Sequence, residues 1–222
     1  MKKYFEVLRR CPLFDGITDQ NLTSLLACLG AKVKKYNKKS TVIEEGEPAK
    51  YVGILLSGSA QIIRTDYYGN RTIIAGIAPS EMFCESFACA GLSAVPVTII
   101  ATEPCEILLT ECNKILTPCS ESCDFHRQMI MNFMKILALK NIMFHRKIEI
   151  TSKRTTREKL MTYLMLHAKS AKSNSFSIPF DRQELADYLE VDRSGLSAEI
   201  SKLRNEGFIE CRKNRFKLLK KD

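Results

Sequence analysis

Between about Lys32 and Thr110, apolar residues recur mostly at every second position, and glycine or polar pairs separate the runs. Residues 51–56, 60–63 and 72–74 are examples, and Tyr68-Gly69-Asn70 predicts the turn between the last two. Short alternating runs with frequent turns are typical of an antiparallel β-sandwich or roll. Before them, apolar residues three and four apart between Thr18 and Gly30 predict a short helix.

Residues 119–150 contain no glycine or proline and predict one long helix with two apolar stripes. Because two stripes need two partners, we expect one against the β domain and the other against the same helix of a second subunit. A core helix inside a monomer is the alternative. The residues proposed for the dimer helix are Met129, Phe133, Ile136 and Met143, and those of the second stripe are Ile130, Met134, Leu137 and Phe144.

The last third of the chain predicts a winged helix-turn-helix. Thr155 with Glu158 and Asp181 with Glu184 fit capping boxes, which start helices. The second box opens a helix over 182–189, and a further helix runs from Arg193 to about Glu206. Residues 176–180 predict a short strand, and two strands flanking Lys213-Asn214 predict a hairpin.

In such a motif the second helix enters the major groove and the hairpin lies along the DNA backbone. Leu196, Ile200 and Leu203 are expected to bury its inner side. Arginine can reach guanine or a phosphate, and serine hydroxyls suit phosphate or base-edge hydrogen bonds. The outward face is predicted to carry Arg193, Ser194, Ser197, Glu199, Lys202 and Arg204, and Arg182 and Lys213 are further candidate DNA contacts.

The charge agrees with a nucleic-acid partner. The 222 residues carry a formal net charge of +9, and residues 151–222 hold 16 Lys and Arg against 10 Asp and Glu, or +6. No apolar run is long enough for a membrane span, and the N-terminus has no signal-peptide core, so we expect a cytoplasmic protein with no membrane partner.

This order of parts resembles the Crp/Fnr family of bacterial transcription regulators over essentially the whole chain. Residues 44–49 with 54–62 look like the family's strand–turn–strand signature, and residues 181–189 with 192–197 are similar to its DNA-binding segment. The resemblance implies an α+β fold with a β-roll sensor (1–118), a dimerisation helix (119–150) and a winged helix-turn-helix domain (151–222).

The resemblance also implies which positions read DNA. Arg193, Ser194 and the position of Ala198 would face the bases; many relatives have arginine where Ala198 stands. The implied partners are double-stranded DNA, a second copy of the chain and RNA polymerase.

The sensor half departs from relatives that bind cyclic AMP. Those relatives hold the ribose and cyclic phosphate with a Gly-Glu pair and, ten residues on from Glu to Arg, an Arg-Ser pair. Here the corresponding residues of the effector pocket are Cys84-Glu85 and Val95-Pro96. Glu85 could accept ribose hydroxyls, but Val95 cannot bind a phosphate, so we expect an effector other than cyclic AMP.

The nine cysteines are odd in number and irregularly spaced, which favours buried, reduced thiols over disulfides. Cys112, Cys119 and Cys123 with His126 are an alternative metal or redox group, and haem ligation by His126, His145 or His167 is another. No metal or cofactor is predicted. The chain has no constellation of catalytic residues, so we expect no enzyme. The alternative function is a small-molecule or redox-sensing module that acts on a protein partner.

Overall fold

The structure is a computed structural model that describes residues 2–65, 67–68, 71–117 and 123–219. The chain divides into two compact units, unit 1 (Met1–Ala138) and unit 2 (Leu139–Asp222). The boundary falls inside the long helix that follows the β domain. Within the described ranges, no helix combines the length and the apolar character that a membrane span requires.

Unit 1 begins with helices α1 (Phe5–Arg10) and α2 (Asp19–Cys28). The predicted short helix is confirmed as α2, which Thr18 caps by accepting a hydrogen bond from the Asn21 backbone N–H at 3.5 Å. Its leucines, spaced at three and four residues, are buried because they lie on one face of the helix.

Eight short strands follow and confirm the predicted antiparallel β domain. In the described residues they form two four-stranded sheets, ordered β1-β8-β3-β6 and β2-β7-β4-β5. The predicted turn at 68–70 lies mostly outside the described residues. The strands are β1 (Lys32–Tyr36), β2 (Thr41–Ile43), β3 (Tyr51–Ser57), β4 (Ala60–Thr65), β5 (Arg71–Ile77), β6 (Met82–Phe83), β7 (Thr98–Ala101) and β8 (Cys105–Glu111).

Strand β3 is buried on both faces, which explains its unbroken apolar run. Ile54 and its β8 partner Leu108 pack with the leucines of α2. The next pair, Leu55 and Ile107, faces the other way and packs with Ile99 of the second sheet. The alternation of side chains along a strand therefore divides unit 1 into two apolar clusters.

Besides α1, the described part of unit 1 contains two short helices that were not predicted. α3 (Glu85–Cys89) follows β6, and α4 (Cys112–Leu116) follows β8 directly. Each has only five residues, too few to show a clear helical period in the sequence.

The long helix is α5 (Asp124–Thr151). Its predicted first residues, 119–122, lie outside the described residues, and Cys123 precedes the helix instead of belonging to it. Met129 and Phe133 are fully buried in the core of unit 1, and Ile136 packs partly against it. These three residues, assigned above to the dimer helix, therefore contact their own chain, whereas Met143 is 66% exposed.

Unit 2 contains α6 (Thr156–Ala171), β9 (Ser175–Ser177), α7 (Arg182–Leu189), α8 (Arg193–Asn205), β10 (Ile209–Arg212) and β11 (Arg215–Leu218). Both predicted capping boxes are present, at Thr155 and at Asp181. The three strands form an antiparallel sheet in the order β10-β11-β9. The helices and the sheet share one core. Its fully buried members include Leu160, Leu164, Leu185, Leu196, Leu203 and Phe216.

Candidate DNA-binding surface and sensor site

The turn between α7 and α8 is fixed by backbone conformation and capping. Glu190 ends α7 in the left-handed region, with φ 54°. Asp192 then caps α8: its Oδ2 accepts hydrogen bonds from the Gly195 N–H at 2.8 Å and from the Ser194 hydroxyl. These bonds, that from Ser194 above all, lower the pKa of Asp192. The carboxylate therefore holds the first turn of α8 in place.

The cap leaves the outer face of α8 to solvent. Arg193, Ser197, Ala198 and Lys202 are exposed, as is Ser194, although its hydroxyl already donates to Asp192. The inner residues Leu196, Ile200 and Leu203 are buried, as the sequence indicates. One face of the helix is thus available to a partner and the other belongs to the core.

Glu199 was predicted on the outward face, and this prediction is wrong. Its side chain is only 15% exposed and lies 3.5 Å from the guanidinium of Arg157 on α6. Arg157 also pairs with Glu206, which raises the arginine's pKa, and stacks over the Phe208 ring at 5.0 Å. The carboxylate that would repel DNA is therefore turned towards α6.

Two more candidate contacts lie beside α8. Arg182, at the start of α7, donates to the sulfur of Cys211 at 3.6 Å and lies 5.2 Å from the Phe216 ring centroid. Lys213 is exposed at the hairpin turn in the left-handed region, with φ 55°. Arg182 is thus held against the wing sheet, whereas Lys213 projects from its tip.

An open cavity of about 520 Å³ lies along the wing sheet. Four of its lining side chains are basic and one, Glu210, is acidic and pairs with Lys217 at 3.3 Å. The lining residues are Ser175, Arg204, Asn205, Ile209, Glu210, Cys211, Arg212, Arg215, Phe216 and Lys217. The surface next to the wing is therefore predominantly positive.

The end of α5 is attached to the same helix-turn-helix turn, which the sequence did not predict. Lys147 donates to the Tyr188 carbonyl, lies 4.4 Å from the Tyr188 ring centroid and pairs with Glu190 at 3.3 Å. Lys159 of α6 also donates to the Glu190 carbonyl, at 3.3 Å. Two lysines thus satisfy carbonyls at the C-terminus of α7, where the helix dipole favours cations.

An aromatic cluster lies beneath this turn. Tyr163 is at its centre, with ring centroids 4.4 Å from His167 and 5.4 Å from Tyr188. Burial raises the pKa of Tyr163 and, with Arg146 nearby, lowers the pKa of His167. His167 therefore lies among packed aromatic rings, which disfavour its charged form.

The candidate sensor residues of unit 1 are packed in its interior. Cys84, Glu85 and Val95 are 6%, 3% and 2% exposed. Cys84 adopts the left-handed conformation, with φ 62°, at the position where relatives have glycine. The Val95 backbone pairs with the 44–47 segment, through bonds of 2.8 and 2.9 Å to Glu47 and Gly46.

The Val95 side chain belongs to an apolar cluster that also contains Cys84, Val97 and Ile99. Pro96 is half-buried. An open cavity of about 460 Å³ in unit 1, lined by residues such as Ser59, Gln61 and Glu81, includes none of the four candidate residues. The residue in place of the relatives' phosphate-binding arginine is therefore part of the apolar core.

Four of the eight described cysteines, Cys11, Cys84, Cys105 and Cys112, are buried, as apolar residues would be. Of the alternative metal group, Cys119 lies outside the described residues, and His126 is buried with its Nε2 3.2 Å from the Ile115 carbonyl. Across the ranges that the structure describes, no three His, Cys, Asp or Glu side chains are arranged to hold a metal.

Two domain families match the chain in sequence order. Residues 33–117 match the cyclic nucleotide-binding domain, and residues 158–222 match the Crp-like helix-turn-helix domain. The transcriptional activator protein FnrL of Cereibacter sphaeroides is 25% identical over 190 residues, 79% of this chain and 71% of FnrL. Cyclic nucleotide-gated ion channel 11 of Arabidopsis thaliana is 33% identical over 69 residues, 31% of this chain and only 10% of the channel.

Two solved structures share the fold. DNR from Pseudomonas aeruginosa has a TM-score of 0.51 at 20% identity, covering 100% of this chain and 96% of DNR. CLP from Xanthomonas campestris has a TM-score of 0.54 at 16% identity, covering 90% of this chain and 100% of CLP. Since its cyclic nucleotide-binding domain is followed by a Crp-like helix-turn-helix domain, the chain has the architecture of the Crp/Fnr family of transcription regulators.

Proposed function

We propose that the protein is a homodimer that binds a specific DNA sequence through α8. The observation that carries this proposal is the exposed polar face of α8, held by the Asp192 cap. The Crp-like domain match favours DNA over a protein partner as the main target. Arg193, Ser194, Ser197, Ala198 and Lys202 would contact the major groove, and Arg182 and Lys213 the adjacent backbone.

In this proposal residues 1–118 sense a signal, residues 119–150 connect the two copies, and residues 151–222 bind DNA. Two recognition helices related by a two-fold axis require a near-palindromic operator. Its half-sites would lie one helical turn apart, roughly 34 Å. The DNA-bound protein would then contact RNA polymerase.

The apolar surface of α5 supports the homodimer. Seven large apolar side chains of this helix are between 47% and 66% exposed, and Met131, Met134 and Ile142 fall on one stripe. An exposed apolar stripe on a long helix is suited to pairing with an identical helix. The seven are Met131, Met134, Leu139, Ile142, Met143, Phe144 and Ile148. Light scattering should give the mass of two chains, and a single-chain mass would contradict the homodimer.

We infer that the signal is not cyclic AMP. A bound cyclic phosphate needs a charge-assisted partner, and Val95 is 2% exposed within an apolar cluster. Burying that phosphate without its partner would cost more than the remaining contacts return. The signal is a different ligand, or a chemical change, acting on unit 1 or on α5.

Replacing Arg193 by alanine tests the DNA-binding surface. Duplexes selected from a random-sequence pool by the unmodified protein serve as the probe in a gel-shift titration. Losing a contact to a base should weaken binding by about 1–3 kcal/mol, roughly 5- to 150-fold in Kd, and relax the preference at one base position.

Arg10→Ala is the matched control, because Arg10 is an exposed arginine on α1 of unit 1. It should leave the Kd unchanged. If Arg193→Ala retains both the affinity and the salt dependence of the unmodified protein, α8 does not read DNA.

A further inference from the structure

Two thiols of unit 1 face each other across separate elements. The sulfur of Cys89, the last residue of α3, lies 3.0 Å from the sulfur of Cys112, the first residue of α4. A disulfide bond is about 2.05 Å long, so about 1 Å of movement would close it. The two residues are 23 positions apart in the chain, and their proximity therefore results from folding.

The surroundings hold the pair together. Both residues belong to the same apolar cluster, in which Cys112 is 3% exposed and Cys89 is half-buried. The Cys112 N–H donates to the Lys50 carbonyl at 2.9 Å, which fixes the start of α4. Cys112 is thus buried, whereas Cys89 is partly exposed to solvent.

We propose that Cys89 and Cys112 form a reversible disulfide when the protein meets hydrogen peroxide. The Cys89 sulfur attacks a peroxide oxygen, the O–O bond breaks, and the products are Cys89 sulfenic acid and water. The Cys112 thiol then attacks the Cys89 sulfur, the S–O bond breaks, and a second water leaves with the thiol proton. Two thiols are oxidised, and one hydrogen peroxide is reduced to two waters.

The reaction is slow at neutral pH. Burial, reinforced by contact with Cys112, raises the pKa of Cys89 to about 12, so only a small fraction is thiolate. A small dithiol reverses the reaction by exchange.

The bond would join α3 to α4. α3 begins with Glu85, a candidate sensor residue, and α4 is the last helix before α5. A cross-link between them restricts the segment that carries the sensor residues. The expected effect on DNA binding rests on the function proposed above, whereas the formation of the bond does not.

The test uses the full chain with Cys28→Ser, because Cys28 is exposed and would cross-link separate molecules. The protein is treated with hydrogen peroxide, alkylated and mapped without reduction. A linked Cys89–Cys112 peptide is expected, two hydrogens lighter than its reduced parts and released by dithiothreitol. Closing this loop should raise the Tm by roughly 5 °C.

Cys105→Ser is the matched control, since Cys105 is a buried cysteine of the other apolar cluster. The linked Cys89–Cys112 peptide should still form in this variant. Cys89→Ser, or Cys112→Ala if the first variant does not fold, should abolish the linked peptide. Recovery of Cys89 fully alkylated, as sulfinic acid, or joined to another cysteine overturns the proposal.

A gel-shift titration separates the chemistry from its consequence. The oxidised protein should differ from the reduced protein by about fivefold or more in Kd, and Cys89→Ser should not respond to peroxide. A linked peptide with an unchanged Kd overturns the regulatory role. Failure of the Arg193→Ala test in reduced protein would instead overturn the proposed DNA-binding surface.

Discussion

The recognition helix and the sensor site are built in opposite ways. Arg193 and Ser197 project from α8 into solvent, whereas Cys84, Glu85 and Val95 are at most 6% exposed. A surface that binds DNA must present its polar groups before the DNA arrives, and the Asp192 cap holds them there. The sensor site offers no such surface to a phosphate. The outer face of α8 thus presents polar groups to a partner, whereas the candidate sensor residues are packed in the interior of unit 1.

The largest expected effect comes from restoring the missing charge, with Val95→Arg. If this site is apolar core, an unpaired guanidinium there should destabilise unit 1 by about 3–5 kcal/mol. Thermal unfolding measures the loss. If the site were a nucleotide pocket, the same change would be tolerated and would create affinity for cyclic AMP.

Val95→Met separates the effect of side-chain size from the effect of charge, because methionine is long and unbranched like arginine but carries no charge. Overpacking should lower the free energy of unfolding of the Val95→Met protein by only about 1–3 kcal/mol. A Val95→Arg protein that unfolds at the unmodified temperature and binds cyclic AMP with micromolar affinity would erase the contrast between the two regions.

A smaller effect is expected at the recognition helix, with Asp192→Ala. Removing the cap frees the first turn of α8, so the Tm should fall by roughly 2–4 °C and DNA affinity should fall with it. Because the folded-state pKa of Asp192 is lowered, its stabilisation is present above the usual aspartate pKa and disappears as pH falls through the lowered value. The difference in Tm between the two proteins should therefore vanish in strong acid.

Asp192→Asn is the control, since asparagine also caps helices and should keep most of the stability. If Asp192→Ala unfolds at the same temperature and binds DNA equally well, the turn is held by other contacts, such as those of Lys147 and Lys159.

Unit 2 was largely predictable because its signals are local. A capping box spans four residues, and both boxes start helices where the sequence indicates. Helix 182–189 was predicted to the residue, and α8 ends one residue before the predicted Glu206. The apolar period of α2 and the alternation of the strands act over similarly short distances.

The errors concern contacts between distant parts of the chain. Glu199 follows the outward period of α8, yet it pairs with Arg157, forty-two positions earlier. His126, named from the sequence as an alternative metal or haem ligand, is 2% exposed, and its ring lies 3.2 Å from the Ile115 carbonyl. The two stripes of α5 were visible, but which of them the chain itself covers depends on the packing of Met129 and Phe133.

The contacts of Lys147 join the end of α5 to the turn between α7 and α8. Its ammonium binds a carbonyl and a carboxylate at the turn that precedes α8, and Ile150, one turn further on, is buried in the same core. The last turns of α5 are therefore packed into the same core as α7 and α8. A rotation of these last turns about the axis of α5 would shift the turn between α7 and α8, and with it the direction in which Arg193 points.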